Sequence, residues 1–282
     1  MELKTVLYDV RDRIATITLN RPDKMNAWTL DMMNDVIESF DLADKDDDVR
    51  VIIVTGANKA FCAGADLSGG RTRASSESDT PHRDSAGQAV LKIYDSKKPV
   101  IAAVDGPAVG VGVTILLPMD IRLASDRARF GFVFNRRGFV PEGCCTWFLP
   151  RILGMARATE WLYSGRVFSA IEALEGGLVS QVLRPEKLMP AAVELAREIA
   201  DNNSAVSTAL TRKMVYSMLS EDHPMAAHIL ESKCFGYMAR SADGQEGVRS
   251  FLEKRPPDFK MKPSTDMPDF YPWQPERDFK TD

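Results

Sequence analysis

This chain of 282 residues predicts an α/β fold with a helical C-terminal region. Two stretches, RVIIVTGANKAFCAGADL from Arg50 to Leu67 and PVIAAVDGPAVGVGVTILL from Pro99 to Leu117, share one layout. Each reads as a buried strand running into a Gly/Ala-rich turn and then an apparent helix. Beyond Pro150 the composition turns helical. At 44% hydrophobic and 27% charged residues, the chain is ordinary for a globular protein and long enough for one large core with a small appendage.

Val6 to Val10 and Ile14 to Leu19 alternate as strands of a hairpin around Arg11-Asp12-Arg13, and Asn20-Arg21-Pro22-Asp23 makes a turn. From Thr29 the period becomes helical, with Thr29 or Asn26 as cap and Leu30, Met33, Val36, Ile37 and Phe40 on one stripe. The acidic run Asp44 to Asp48 ends that helix, and the strand Val51 to Val54 follows. Ser68 to Arg83 is polar and aperiodic and reads as a mobile loop. A weak helix from Ala86 to Asp95 leads to the second strand at Val100. Strands are expected at Asp120 to Ala124 and Ala128 to Phe134, then a turn over Arg136 to Gly143. Short helices follow at Ala156 to Tyr163 and Ala170 to Glu175, with a strand at Leu178 to Val182. Longer helices span Pro185 to Asn202, Ser204 to Leu219, Met225 to Arg240 and Gln245 to Glu253. The expected division is a strand-and-helix core over 1–184, a helical region over 185–254, and a Pro-rich arm over 255–282. That arm is either disordered or laid over a partner subunit.

Several function classes are disfavoured. A formal net charge of -4 with no long basic block argues against nucleic-acid binding. Cys62, Cys144, Cys145 and Cys234 lack CxxC spacing, and no signal-peptide pattern is present. They read as thiols of a reducing, cytoplasmic compartment. No apolar run is long enough to suggest a membrane partner. His82, His223 and His228 are not spaced as metal ligands, and there is no GxSxG elbow for triad hydrolysis. The glycines around Gly110 and Gly112 lack the remaining features of a dinucleotide loop.

The order and spacing of several short motifs resemble the crotonase superfamily, the enoyl-CoA hydratase/isomerase family, over residues 1 to about 258. They are Asn20-Arg21-Pro22 with Asn26-Ala27, Phe61-Cys62-Ala63-Gly64-Ala65-Asp66-Leu67, Gly106-Pro107-Ala108-Val109-Gly110, Asp120 to Ser125, Gly176-Gly177-Leu178-Val179 and Phe251 to Arg255. The resemblance implies a ClpP-like ββα superhelix in which the two strand-turn-helix copies are successive turns of one spiral. It further implies a C-terminal helical trimerisation region, a homotrimer or dimer of trimers, and an acyl-CoA substrate. No separate cofactor is implied, because coenzyme A belongs to the substrate.

The same resemblance assigns an oxyanion hole to the backbone N–H groups of Ala65 and Val111, donors aimed at a thioester oxygen as it becomes enolate-like. Ordinary tight turns are the alternative for both. Val111 stands where glycine is usual, and helix N-termini beginning near both sites would add a favourable dipole. The two glutamates of the family's hydratases fall at Thr114 and Phe134, so both carboxylates are missing. One stands nearby, Glu142, in a Pro-Glu-Gly segment resembling the peroxisomal-type Δ3,Δ2-enoyl-CoA isomerase branch. There a single glutamate moves a proton between C2 and C4 and needs a raised pKa in an apolar pocket. Phe134, Phe139, Trp147 and Phe148 are candidates for its wall. The alternative for Glu142 is a charge at the start of the following helix. Asp120 reads as structural, and Arg136 and Arg137 as solvated. For CoA, the resemblance points to Lys24, Met25, Ala27, Ala63, Asp66 and Leu67, with Lys254 arriving from a neighbouring chain to meet phosphate. The acyl chain would be bordered by residues 86–95 and the 68–83 loop.

Three functions follow from these residues. The first is a double-bond shift from 3-enoyl- to 2-enoyl-CoA with Glu142 as proton shuttle. The second is hydration, or another crotonase reaction, using noncanonical groups. The third is acyl-CoA binding without catalysis.

Overall fold

The computed structural model describes residues 3–68, 82–275 and 277–279. Most of the expected 68–83 loop lies outside these residues. The chain begins with a hairpin, β1 (Val6–Arg11) and β2 (Ile14–Leu19), paired in the register Val6 to Leu19 and turning through left-handed Asp12 and Arg13. Helix α1 (Leu30–Lys45) is capped by the Thr29 side chain, which accepts from the Met32 N–H at 3.2 Å. Strand β3 (Val51–Gly56) follows, then α2 (Ser85–Asp95) and β4 (Val100–Val104). Next come β5 (Pro107–Val109), the single turn α3 (Val111–Thr114), β6 (Ile121–Ser125) and β7 (Arg129–Gly131). Helices α4 (Cys145–Leu153) and α5 (Met155–Ser164) precede β8 (Val167–Ser169), α6 (Ala170–Glu175) and β9 (Gln181–Leu183). The remainder is α7 (Pro185–Asn202), α8 (Ala205–Met218), α9 (Pro224–Arg240) and α10 (Ala242–Glu253).

The main sheet has six strands in the order β1-β2-β3-β4-β6-β9, parallel throughout except for the opening hairpin. A second sheet, β5-β7-β8, stands beside it. Strands at the centre of a parallel sheet are covered on both faces, which explains the unbroken apolar runs. The two-residue period divides them cleanly. Ile52, Val54, Val100, Ala102 and Val104 enter the larger core with α1, α2 and α4, while Val51, Ile53, Ile101 and Ala103 meet Leu188, Ala192, Ala196 and Ala200 of α7. Helix α7, the first after residue 184, is therefore the second cover of the sheet. The architecture is the α/β ββα-repeat fold with a helical C-terminal region, as the motif order implies.

Several local expectations change. Pro107 to Val109, read as a turn, is a strand because its backbone pairs with β7, and Val167 to Ser169 closes the same small sheet. The strand expected at Leu178 to Val182 begins later, at Gln181, since Gly176-Gly177 and the bonds of Leu178 and Val179 N–H to the Ala173 carbonyl extend the end of α6. Among the described residues no helix is long and apolar enough to cross a membrane. All four cysteines are free.

Residues 256–275, 277 and 279 lie along their own chain. Lys260 and Met261 N–H donate to Asp243 Oδ1 at 2.8 and 3.1 Å, and Met261, Met267, Phe270 and Trp273 share an apolar cluster with α8 and α9. Ser264 Oγ donates to Asp47 at 2.6 Å, and the Tyr237 hydroxyl to the Asp266 carbonyl at 2.9 Å.

Candidate active site

The site is assembled on the segment 20–28, which is stitched beneath 57–66. Asn26 is fully buried in a left-handed conformation (φ 49–65 is shared by few side chains here; Asn26 has φ 55) that asparagine tolerates. Its Oδ1 accepts from Arg21 N–H at 2.8 Å, and its Nδ2 donates to the Ala57 and Ala60 carbonyls at 3.0 and 2.7 Å. Ala63 N–H donates to the Met25 carbonyl, Trp28 N–H to Gly64, and Asp66 N–H to Trp28, at 3.1, 2.8 and 2.9 Å. This ladder passes on both sides of Ala65 and leaves its N–H without an acceptor among the described residues.

The second turn is held against the first. Cys62 bridges Ala108, and Val109 N–H donates to the Cys62 carbonyl at 3.0 Å. Gly110 has φ 58 and ψ -123, a region open only to glycine, and a Cβ there would lie 3.8 Å from Gly64 Cα. Gly112 is required by space, since a Cβ would come 2.1 Å from the Cys62 carbonyl oxygen. Val111 opens the turn of helix α3, so its N–H has no intrahelical partner and no other acceptor among the described residues. Two unpaired N–H groups on adjoining turns form a place where a developing oxyanion can be held. The helix expected beyond Ala65 is absent through Ser68; Ala65 instead bridges Trp28.

Glu142 arrives beside Val111 through Thr114. Thr114 Oγ1 lies 3.2 Å from Glu142 Oε1 and 3.2 Å from the Val111 carbonyl. Gly143 makes this approach possible: a Cβ there would stand 2.9 Å from Thr114 Oγ1 and 3.3 Å from Ala86 Cβ. Burial, then the charge of Asp84 and a hydrogen bond to it, push the Glu142 carboxyl from 4.5 to about 8. The Thr114 hydroxyl opposes this only in part.

Asp84 escapes a reading of the sequence alone. It falls between the expected loop and the expected helix, and its visible signal is only that of an N-cap residue. It does cap α2, its Oδ1 accepting from Gly87 N–H, and the same oxygen accepts from Gly143 N–H at 3.3 Å. The two backbone donors belong to the two segments that carry the acid groups. The tertiary fold thus brings Asp84 and Glu142, from different elements, together beside Thr114.

Of the expected aromatic wall, Trp147 and Phe148 pack at 4.7 Å between ring centroids, and both meet Tyr94 of α2 at 6.1 and 6.0 Å. Phe134 packs against the larger core, whereas Phe139 is exposed and belongs to no wall within one chain. Arg136 and Arg137 are also exposed. Asp120 is structural, accepting from Val100 N–H at 2.7 Å and from Arg212 Nε at 2.9 Å.

Among the residues expected at CoA, Lys24, Met25, Ala27, Ala63, Asp66 and Leu67 are gathered along the 20–28 and 63–67 ladder. Met25 and Leu67 are exposed beside it. Asp66 is pinned by Arg21 at 2.8 Å and by Ser68 Oγ at 2.6 Å, bonds that hold its carboxyl far below the usual carboxylate range. Lys254 is the left-handed C-cap of α10, which packs on α9.

A core of parallel strands carries two adjoining turns with unpaired N–H groups and a buried carboxyl beside them, the parts that an oxyanion-holding site needs. Residues 9–262 match the family model described as enoyl-CoA hydratase/isomerase. A protein of Alternaria alternata named enoyl-CoA hydratase ACTT3 is 42% identical over 249 residues, covering 88% of this chain and 83% of that one. The 1,2-epoxyphenylacetyl-CoA isomerase of Escherichia coli K12 is 34% identical, covering 92% of this chain and all of its own length (100%). A crystal structure of a probable enoyl-CoA hydratase/isomerase from Mycobacterium abscessus superposes with a TM-score of 0.84 at 33% identity, covering 91% of this chain and 99% of that one. The chain belongs to the enoyl-CoA hydratase/isomerase family of the crotonase superfamily. Both hydratases and isomerases stand among its relatives, and they single out no isomerase branch.

Proposed function

We propose that this enzyme adds water across the C2=C3 bond of a 2-enoyl-CoA thioester, using Asp84 and Glu142 as a coupled base and acid. The observation that carries this reading is the hydrogen-bonded pair itself, with Glu142 kept protonated to about pH 8 beside the unpaired Val111 N–H. Asp84 takes a proton from water as its oxygen bonds to C3. The π pair moves into the thioester, whose oxygen is held by the Ala65 and Val111 N–H groups. Glu142 then gives its proton to C2, and the proton on Asp84 returns to Glu142 along their hydrogen bond. One water is consumed and both carboxyl groups are restored.

A double-bond shift from 3-enoyl- to 2-enoyl-CoA is the second reading, favoured by Thr114 standing where hydratases of this family carry a carboxylate. It requires Glu142 to start ionised, a minor form at neutral pH when the group titrates near 8. Glu142→Gln and Asp84→Asn assayed on 2-enoyl- and 3-enoyl-CoA separate the two. Hydration by the pair predicts loss of water addition in both variants. Double-bond migration that persists in Asp84→Asn and is lost in Glu142→Gln would establish the shuttle instead.

The CoA moiety is assigned to Lys24, Met25, Ala27, Ala63, Asp66 and Leu67, supported by the partly exposed ladder those residues share, with Lys254 supplied by a second subunit. Assembly as a trimer or dimer of trimers is supported by Phe235, Phe251 and Leu252, exposed at 78%, 81% and 73% on α9 and α10.

A further inference from the structure

Trp28 touches both halves of the site. Its backbone is paired with the turn that carries Ala65: Trp28 N–H donates to the Gly64 carbonyl at 2.8 Å, and Asp66 N–H donates to the Trp28 carbonyl at 2.9 Å. Those two bonds make the parallel bridge between Trp28 and Ala65. In such a bridge the two neighbours of a residue supply the bonds, while its own N–H and carbonyl point to the opposite side. Pairing with Trp28 therefore turns the Ala65 N–H away from the 20–28 ladder and leaves it unpaired among the described residues.

The side chain of the same residue reaches α2. The indole is 4% exposed and shares the larger core with Ala86 and Ala89. Its Nε1 donates to Ser85 Oγ at 3.2 Å, and Ser85 is the first residue of α2, directly after the Asp84 cap. A buried indole N–H needs an acceptor, and Ser85 supplies it at the point where Asp84 accepts from Gly143 N–H at 3.3 Å.

Resting on the proposed hydration reading, we propose that Trp28 is a positioning residue, a strut that fixes the oxyanion-holding turn relative to the Asp84–Glu142 pair. Its main chain sets where the Ala65 N–H points, and its indole sets where α2 begins and so how Asp84 meets Glu142 beside Gly143. Too buried to touch substrate, it acts through those two groups. Without the indole N–H the first turn of α2 is released and Asp84 draws back from Glu142. The remaining titratable groups near Glu142 are the thiols of Cys62, Cys144 and Cys145; burial pushes all three up, Cys62 and Cys145 to about 12. The Glu142 carboxyl is thus left to report on the position of Asp84 from about pH 5 to about pH 9.

Trp28→Phe keeps a buried ring and deletes the N–H, whereas Ser85→Ala deletes the acceptor and keeps the indole. Both, and the double variant, are compared with the full chain by urea unfolding across that pH range and by kcat and KM on crotonyl-CoA. In each single variant the pH at which stability falls is expected to move down by at least about half a unit, because a more distant Asp84 charge raises Glu142 less. A tryptophan that only filled space would lower the curve equally at every pH. In turnover, kcat is expected to fall about three- to tenfold, the worth of one hydrogen bond, with KM within about twofold. The double variant is expected to lose no more kcat than Trp28→Phe, since both changes remove the same bond. Parallel stability curves in both single variants, with hydration by the full chain intact, overturn the strut and leave the reaction standing. A downward move in Trp28→Phe that Ser85→Ala lacks belongs to ring volume and also overturns it; should Trp28→Phe fail to fold, Ser85→Ala decides alone. A full chain that hydrates no enoyl-CoA, with the downward move present in both variants, overturns the reaction and leaves the strut between Trp28 and Asp84 in place.

Discussion

Glu142→Gln tests the acid pair most directly, because the side chain loses its ionisable proton without changing shape. A glutamine keeps a carbonyl oxygen to accept from Thr114 Oγ1, now 3.2 Å from Glu142 Oε1, and gains an N–H to donate to Asp84. It therefore reproduces the neutral acid. The wild-type carboxyl binds its proton more tightly folded than unfolded, since its value moves from 4.5 to about 8. Its contribution is present in full below 4.5 and is lost as pH rises through 8, where ionisation next to Asp84 destabilises the fold. The full shift would correspond to about 4–5 kcal/mol at alkaline pH, and partial access of solvent to the site reduces the expected effect to about 2 kcal/mol. Urea unfolding of both proteins from about pH 5 to about pH 9 reads this directly. Wild type and variant are expected to be alike near pH 5, with the variant gaining stability across the window, while kcat falls by about two to four orders of magnitude. Parallel stability curves would refute a carboxyl held neutral, and turnover within about threefold of wild type would remove Glu142 from proton transfer.

Asp84→Asn removes the charge that raises Glu142, so the upper limb of the pH–kcat profile is expected to move to lower pH as activity drops; a profile unmoved at that limb would separate the two groups. Arg212 is buried and holds Asp120 at 2.9 Å while donating to the Tyr94, Ser96 and Ile93 carbonyls at the end of α2, at 2.8, 2.5 and 3.1 Å. Arg212→Ala strands a partly buried carboxylate and those carbonyls and is expected to cost about 3–5 kcal/mol in urea unfolding, with a loss below about 1 kcal/mol counting against the network. Gly112→Ala drives a methyl into the Cys62 carbonyl and is expected to cost about 1–3 kcal/mol and to lower kcat more than KM, by displacing the Val111 N–H. A destabilised variant with normal kcat would show that the turn and the oxyanion site are independent.

Much of this protein is legible along the chain. The unbroken apolar runs Val51 to Val54 and Val100 to Val104 dictate strands covered on both faces, and the small residues at 63–65 and 108–112 dictate turns where backbones approach closely. Those are local demands of sterics and burial, so residue order alone expresses them. The placement of Ala65 and Val111 on adjoining turns follows from the motif order, and the coordinates add which N–H groups stay unpaired. Short strands such as Pro107 to Val109 were illegible because three residues take their conformation from a partner, here β7, far along the chain.

The acid pair was decided by tertiary structure alone. Asp84 reads in sequence as one more polar residue ahead of a helix, and Glu142 as a carboxylate with two possible roles. A pKa depends on desolvation and on charges a few ångströms away, neither of which follows from sequence separation. The chain by itself determined the fold family and the two adjoining turns whose backbone N–H groups the proposed reaction uses. Folding decided which carboxyl faces Glu142, that α7 covers the sheet, and that the C-terminal arm packs on α8 and α9, because each is a contact between elements that no local pattern encodes.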